Sequence, residues 1–213
     1  NIFDAAEIYP IPPNAATQGA TEEIIGTWLA SRKARDKVMI ATKVAGRSTA
    51  IDWLRDELIL SRQTPEQIRE AIDKSLKRLQ TDYVDLYQLH WPDRPIRVFE
   101  VLEYRRFADD AHRNHEILEE LAELVASGKV RFIGLSNETP WGVMSFLKLA
   151  EQHNLPRVVS VQNAYSLVSR AYEVGLSEIS YEEQVGLLGY SPLGQGYLTG
   201  KYEDGALPAG ARK

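Results

Sequence analysis

The sequence predicts an α/β protein in which parallel strands alternate with helices. Three observations carry this prediction: β-rich apolar runs recur along the chain, amphipathic helical patterns lie between them, and most connections are short. We count six strand-like runs, near residues 1–3, 38–42, 84–89, 130–135, 158–162 and 186–190. This order of elements is typical of right-handed βαβ units on one parallel sheet.

The helices between these runs are marked by their caps and by apolar residues on one face. Thr64 and Pro65 supply an N-cap and a proline at the first helical position, and apolar residues then recur on one face as far as Leu79. Three further helices are expected, over residues 21–35, in a run that ends at Gly128, and from Thr139 and Pro140 onwards. Helices of this kind cover the outside of a sheet.

A test for a phosphate-binding loop separates the two architectures that fit this order. An open doubly wound sheet would place G-x-G-x-x-G directly after its first strand. Nothing after Phe3 or Thr42 resembles that motif, and the glycines at 194, 196 and 200 follow the last strand with a different spacing. We therefore favour a (β/α)₈ TIM barrel, of which about six β/α units are present.

The composition is that of a single globular domain and excludes several classes of function. The chain has 213 residues, of which 44% are hydrophobic and 26% charged, and its net charge of -5 gives no electrostatic reason to bind nucleic acid or membrane. No apolar run approaches the roughly 18 residues that span a bilayer. The absence of cysteine excludes disulfides and thiolate metal sites and is compatible with the cytoplasm, where we expect the protein.

Four titratable residues stand at or just beyond the ends of the first three strand-like runs. Asp4, Lys43 and His90 each close one such run, and Tyr9 lies five residues beyond Asp4. Chemistry in parallel α/β proteins collects at the carboxyl ends of the strands. Each residue alone has an ordinary structural interpretation. A group of complementary titratable side chains at the ends of several strands is less readily explained by coincidence than a single one. The pattern predicts a proton-transfer site.

These four side chains together suit the reduction of a carbonyl group. An ammonium stabilises a phenolate, so we expect Lys43 to lower the pKa of Tyr9. Asp4 would be the counter-ion of Lys43, and His90 would hydrogen-bond the substrate oxygen that Tyr9 protonates. No side chain can give a hydride, so the chemistry implies a nicotinamide cofactor. A lysine at the end of a barrel strand also suits a Schiff-base aldolase, which stays open as an alternative.

Several segments, in their order and spacing, resemble the aldo-keto reductase superfamily and most of all its Tas-type bacterial branch. They are NIFDAAEIY, ATKV, DLYQLHWPD, GLSNET, SVQNAYSL and GYSPLGQGYLTGKY, and the resemblance covers essentially all 213 residues. It implies a barrel enzyme that reduces aldehydes or ketones by hydride transfer from a nicotinamide cofactor. In that resemblance Asp4, Tyr9, Lys43 and His90 form the catalytic tetrad, with Tyr9 as general acid.

The resemblance also implies where the cofactor and the substrate bind. Three residues are expected at the nicotinamide carboxamide: Ser136, Asn137 and Gln162. Tyr190 is expected to stack on the nicotinamide ring, and the loop along the pyrophosphate is expected to contain Ser191, Leu193 and Gln195. Trp91 is the expected wall of the substrate pocket, while Trp53 and Tyr104 fall in irregular regions where the family's loops shape specificity.

Set against the family, the six strands correspond to its second through seventh. We therefore expect residues 1–213 to be one barrel domain that is incomplete at both ends. Open parallel edges promote aggregation, so we expect a polypeptide limited to these residues to be insoluble or inactive. The segment that usually binds the adenosine 2′-phosphate follows the eighth strand. NADP(H) is therefore expected only because most members of the family use it, and NAD(H) stays open as an alternative.

A second resemblance offers another function for the chain. The chain also resembles the potassium-channel β subunits, which share this fold and tetrad, so it could be a regulatory subunit that binds nicotinamide and turns over slowly. His112 and His115 have a spacing found in metal pairs, but the sequence offers no third ligand nearby, so we expect no metal site. The expected partner is a small-molecule carbonyl substrate.

Overall fold

A computed structural model describes residues 1–96 and 113–211 of the chain. Its six strands and five α-helices alternate, as the sequence predicts. In chain order they are β1 (Ile2–Asp4), α1 (Ala20–Arg32), β2 (Met39–Val44), α2 (Pro65–Leu79), β3 (Val84–Leu89), α3 (Asn114–Ala126), β4 (Val130–Ser136), α4 (Pro140–His153), β5 (Val158–Ala164), α5 (Leu176–Glu182) and β6 (Gly186–Tyr190). Tyr104, His112 and most of the irregular stretch 95–110 lie outside the described residues.

The strands form one parallel sheet in sequential order from β1 to β6, curled into a half-barrel. This order excludes the doubly wound alternative, in which the strand order reverses, and confirms the predicted fold class. The register pairs Lys43 with Gln88, and Ser136 with Gln162, near the carboxyl ends. Because all strands point the same way, the residues that follow them meet at one edge.

The main core fills the space between the outer face of the sheet and the helices. Ile40, Tyr87 and Leu135 from the sheet belong to the same buried cluster as Ile72 and Leu118 from the helices. Each fully buried side chain of this size stabilises the fold by about 1.5–3 kcal/mol relative to exposure. The packing holds the sheet rigid, so that its carboxyl edge can position side chains accurately.

The N-caps of two predicted helices are formed as expected, and one helix was not predicted. Thr64 and Thr139 accept hydrogen bonds from Gln67 N and Gly142 N, at 3.4 and 3.2 Å. Helix α5 begins after Gly175 without a side-chain cap, and its 7 residues are too few for a repeating apolar face to mark it in the sequence. None of the helices in the described ranges combines the length and the apolar composition needed to cross a bilayer.

Candidate active site

Lys43 and Asp4 form an ion pair at the ends of two neighbouring strands. The Lys43 side chain is 0% exposed, and its Nζ donates to Asp4 Oδ2 and to the Ala5 carbonyl, both at 2.7 Å. The other carboxylate oxygen of Asp4 accepts from Gln88 Nε2 at 3.1 Å. Burial lowers the pKa of Lys43 from its ordinary value, and the charge and hydrogen bond of Asp4 oppose that shift. The ammonium is therefore held in one place.

Tyr9 lies beside this pair and beside His90. The Nζ of Lys43 is 5.1 Å from the centroid of the Tyr9 ring, and the Tyr9 and His90 rings meet edge to face at 5.5 Å between centroids. The Tyr9 backbone is tied on both sides, because its N–H donates to Ala6 O and its carbonyl accepts from Gly19 N, each at 3.0 Å. The structure thus brings the four predicted residues together.

The pKa of Tyr9 moves in the opposite direction from our expectation. Burial of the phenol raises it to about 12, and the charges of Asp4 and Tyr190 add to the rise. The expectation of a lowered Tyr9 pKa is therefore wrong. Desolvation of the phenol is the largest effect, and the Asp4 carboxylate that pairs with Lys43 also disfavours the phenolate. Tyr9 accordingly keeps its proton at neutral pH, as a proton donor must.

His90 is a buried, neutral imidazole. Burial, followed by the positive charge of Lys43, lowers its pKa from 6.5 to about 3. Its backbone is anchored because its N–H donates to Val44 O at 2.9 Å and its carbonyl accepts from Asn137 Nδ2 at 2.8 Å. The ring Nδ1 is buried without a hydrogen-bond partner among residues 1–96 and 113–211. A neutral imidazole has one N–H, which suits hydrogen bonding to a substrate oxygen.

The lowered pKa of His90 predicts a specific acid sensitivity of the fold. An unfolded histidine takes up a proton near pH 6.5, whereas folded His90 does so only near pH 3. Its contribution to stability is thus complete above the upper value and is lost as the pH falls toward the lower one. The loss should be about 1.4 kcal/mol per pH unit once the unfolded histidine is charged.

Urea unfolding of the full-length protein between pH 7 and pH 4 measures this effect. His90→Asn, which cannot take up a proton in this range, should show a shallower loss of unfolding free energy than the wild type. Equal slopes for wild type and His90→Asn would contradict the assignment of a buried neutral imidazole.

The residues expected at the nicotinamide lie at the ends of β4, β5 and β6, next to His90. Ser136 Oγ and the Asn137 N–H both donate to Gln162 O at 2.9 Å, and Tyr190 OH donates to Asn137 Oδ1 at 2.7 Å. Asn137 adopts the left-handed region with φ of 50°, which an asparagine tolerates better than most residues. The group is therefore pre-organised by its own hydrogen bonds.

Two of the three residues expected along the pyrophosphate face the same cleft. Ser191 and Gln195 line it, and both have positive φ, of 56° and 57°. Leu193 does not line the cleft, and the residue is 56% exposed. The Gly194 N–H donates to Ser191 O at 2.9 Å, which turns the loop tightly after β6. The structure thus places the loop at the cleft but turns Leu193 away from it.

The cleft at the carboxyl edge has a volume of about 1320 Å³ and joins the two groups of residues. Asp4, Tyr9 and His90 line it, and Ser136, Asn137, Gln162 and Tyr190 line it as well. Trp91 also lines it, with its Nε1 donating to Arg47 O at 2.8 Å. Trp53 instead packs against a small apolar cluster that contains Ile8 and Leu54.

No cluster of three or more His, Cys, Asp or Glu side chains that would hold a metal occurs in the part of the chain that the structure describes. His115 stacks on His153 with 4.0 Å between ring centroids.

Gln88 and Glu7 were not predicted from the sequence, although both support the site by hydrogen bonds. Gln88 precedes His90 by two residues. Because side chains two positions apart along a strand point to the same face, the sequence could have placed Gln88 near the site, where it bonds to Asp4. Glu7 was marked only by its being a charged residue within the apolar run from Ala5 to Ile8. Its carboxylate is 1% exposed and is paired with Arg55. Neither residue lines the cleft.

Comparison with known proteins identifies a family to which the chain is similar. The model of the aldo/keto reductase family matches residues 1–212. Protein tas of Escherichia coli K12 is 53% identical over 100% of this chain and 61% of its own length, and the aldo-keto reductase YhdN of Bacillus subtilis is 34% identical over 86% of this chain and 47% of its own length. The chain thus spans about three fifths or less of these curated relatives.

A solved structure of an aldo/keto reductase from Klebsiella pneumoniae, in complex with NADP and acetate, superimposes with a TM-score of 0.67 at 27% identity. The match covers 96% of this chain and 56% of that one. The resemblance that the sequence segments suggested, including its Tas-type character, is confirmed by these matches. On a family match over nearly every residue, together with a shared fold, the chain belongs to the aldo/keto reductase family.

Proposed function

We propose that the full-length protein reduces small aldehydes or ketones to alcohols in the cytoplasm, with NADP(H) as cofactor and Tyr9 as the proton donor. The observation that carries the proposal is the convergence of a protonated phenol and a neutral imidazole in one cleft, with a fixed ammonium buried next to the phenol. Two solved relatives from Klebsiella pneumoniae contain NADP or NADPH, which supports this choice of cofactor.

The residues at the cleft fit a nicotinamide. Gln162 lines the cleft, and its amide has no hydrogen-bond partner within the described ranges, so it can bind a carboxamide. Ser136 and Asn137 lie beside it, and the half-buried ring of Tyr190 faces the same space. Ligand pockets usually measure about 300–1,000 Å³, so this cleft is large enough for a dinucleotide and a small substrate. A nicotinamide bound there would supply the hydride.

The chain's own residues would supply the proton and the charge stabilisation. As the carbonyl oxygen gains negative charge, Tyr9 gives it the phenol proton, and the N–H of neutral His90 orients that oxygen. The Lys43 ammonium then lies 5.1 Å from the centroid of the Tyr9 ring and stabilises the developing phenolate. Asp4 and the Ala5 carbonyl keep the ammonium in place throughout. Because the pKa of Tyr9 is raised to about 12, the phenol needs this stabilisation by Lys43 in order to release its proton.

The test is cofactor-dependent loss of absorbance at the nicotinamide band with 4-nitrobenzaldehyde and a panel of other aldehydes and ketones. We expect turnover with NADPH, and slower turnover or a higher KM with NADH. A full-length protein that binds NADPH tightly but reduces no member of the panel faster than Tyr9→Phe does would contradict the proposal. That result would favour the regulatory-subunit interpretation instead.

A further inference from the structure

A second buried ion pair, between Glu7 and Arg55, lies behind Tyr9 and takes no part in the proposed chemistry. Arg55 Nη1 donates to Glu7 Oε2 at 2.7 Å and Nη2 donates to Oε1 at 2.9 Å. The two side chains are 0% and 1% exposed. Taking both charges out of water costs several kcal/mol per ion, so a buried pair is weak evidence for stabilisation as such. A role in fixing geometry has to be considered.

Glu7 fastens the segment that carries Tyr9 to the strand that carries Lys43. Its backbone N–H donates to Lys43 O at 3.1 Å, and its Oε1 accepts from Ala45 N at 2.8 Å. The backbone and the side chain of Glu7 therefore grip β2 on both sides of Val44. Because Glu7 precedes Tyr9 by only two residues, these bonds anchor the backbone next to the phenol.

Arg55 fastens the same point to the loop that forms the substrate side of the cleft. Ile51 of this loop lines the cleft, and its carbonyl accepts from Ser61 N at 2.8 Å. Ser61 Oγ in turn donates to Gly46 O at 2.8 Å, which closes the loop onto the end of β2. The Glu7 carboxylate is thus the meeting point of the Tyr9 segment, the end of β2 and this loop.

We propose that Glu7 and Arg55 are positioning residues that act through Tyr9. Their ion pair sets the phenol against Lys43 and against the substrate-facing loop, and so controls proton transfer without affecting cofactor binding. This inference rests on the proposed function. Neither side chain lines the cleft, and neither bonds to Ser136, Asn137 or Gln162. Changes at this ion pair should therefore affect proton transfer from Tyr9 but not the binding of the cofactor.

Glu7→Gln in the full-length protein tests the proposal, because glutamine keeps the shape and an acceptor for Ala45 N but removes the charge. We expect kcat for carbonyl reduction to fall about 10- to 100-fold, because small displacements of a reacting group have effects of this size. The Kd of NADPH should stay within about twofold, and the solvent deuterium isotope effect on kcat should increase. An unchanged kcat would overturn the proposal.

Asp85→Asn is the matched control. Asp85 is also a buried carboxylate with two arginine partners, Arg35 at 2.8 Å and Arg131 at 3.0 Å, but it lies near the amino ends of the strands. This variant should lose unfolding free energy as Glu7→Gln does, yet keep kcat and its isotope effect. A comparable fall in kcat for Asp85→Asn would show that any loss of a buried charge has this effect, and would overturn the specific role of Glu7.

Two further measurements separate positioning from folding and from the proposed function itself. The double variant Glu7→Leu with Arg55→Met removes both charges, which should restore unfolding stability while kcat stays low; recovery of kcat along with stability would overturn the proposal.

Tyrosine labelled with ¹³C at Cζ gives an NMR signal for Tyr9, assigned with Tyr9→Phe, and this measurement needs no turnover. Glu7→Gln should shift it and Asp85→Asn should not, and an unshifted signal would overturn the proposal even if no carbonyl is reduced.

Discussion

Tyr9→Phe should lower kcat for carbonyl reduction by about 10²- to 10⁴-fold, the usual contribution of a positioned general acid. Phenylalanine keeps the ring and its edge-to-face contact with His90, so the change removes only the hydroxyl. The proton that Tyr9 holds at neutral pH, because its pKa is raised to about 12, is then unavailable to the substrate oxygen. Stopped-flow absorbance of NADPH at saturating substrate measures the loss.

Binding should separate this effect from general damage. The Kd of NADPH, from quenching of tryptophan fluorescence, should stay within about twofold, because the proposed cofactor residues lie on β4, β5 and β6 and in the segments that directly follow β4 and β6. Tyr83→Phe is the control: Tyr83 precedes β3 at the other end of the sheet and has Arg35 over its ring at 3.7 Å. If Tyr83→Phe and Tyr9→Phe lose activity equally, the assignment of the donor is wrong.

Lys43→Met should lower kcat by about 10²- to 10³-fold yet change the free energy of unfolding by less than about 2 kcal/mol. The activity is lost because the phenolate that forms on Tyr9 would face Asp4 without a neighbouring ammonium. The fold survives because methionine removes a fully buried charge together with its desolvation cost. Asp4 is 36% exposed and keeps the hydrogen bond from Gln88, so its charge stays solvated.

Lys129→Met provides the comparison for Lys43→Met. Lys129 also pairs with an aspartate, Asp73 at 2.6 Å, but both side chains are exposed and lie away from the cleft. An exposed pair of this kind contributes about 0–1 kcal/mol, so this variant should retain both stability and kcat. An unchanged kcat in Lys43→Met would contradict the role of the ammonium.

The same lysine distinguishes the reductase from a Schiff-base aldolase. Burial lowers the pKa of Lys43, as an amine nucleophile requires, but Nζ donates to Asp4 and to the Ala5 carbonyl. Those bonds hold it as an ammonium beside a carboxylate. Treatment with borohydride and substrate should therefore leave the mass of the Lys43 peptide unchanged, whereas a covalent adduct on that peptide would support the aldolase.

Most of the fold was predictable because its signals are local. The cap at Thr64 and the apolar face that ends at Leu79 mark α2, and the structure places the helix between Pro65 and Leu79. Helix α5 was not predictable, since its 7 residues follow Gly175 without a side-chain cap and derive their order from packing. The parallel order of the strands follows from the chirality of βαβ units rather than from any one residue.

The site was predictable where it depends on strand ends, and less so where it depends on burial. Asp4, Lys43 and His90 were brought together because parallel strands end at one edge. The direction of the Tyr9 pKa shift was not predictable, because the sequence suggests a nearby ammonium but does not show that the phenol is desolvated and also faces the Asp4 carboxylate. The contact between Glu7 and Arg55 joins residues 48 positions apart, and no local pattern announces it.

The most direct test of the central claim follows a labelled hydride to the product. NADPH carrying deuterium at C4 on the transferring face is incubated with the full-length protein and 4-nitrobenzaldehyde, and the alcohol is analysed by mass spectrometry. We predict an alcohol one mass unit heavier, formed by the wild type and reduced to background with Tyr9→Phe. Labelled alcohol formed by Tyr9→Phe at the wild-type rate, or unlabelled alcohol from the wild type, would contradict reduction at these four residues.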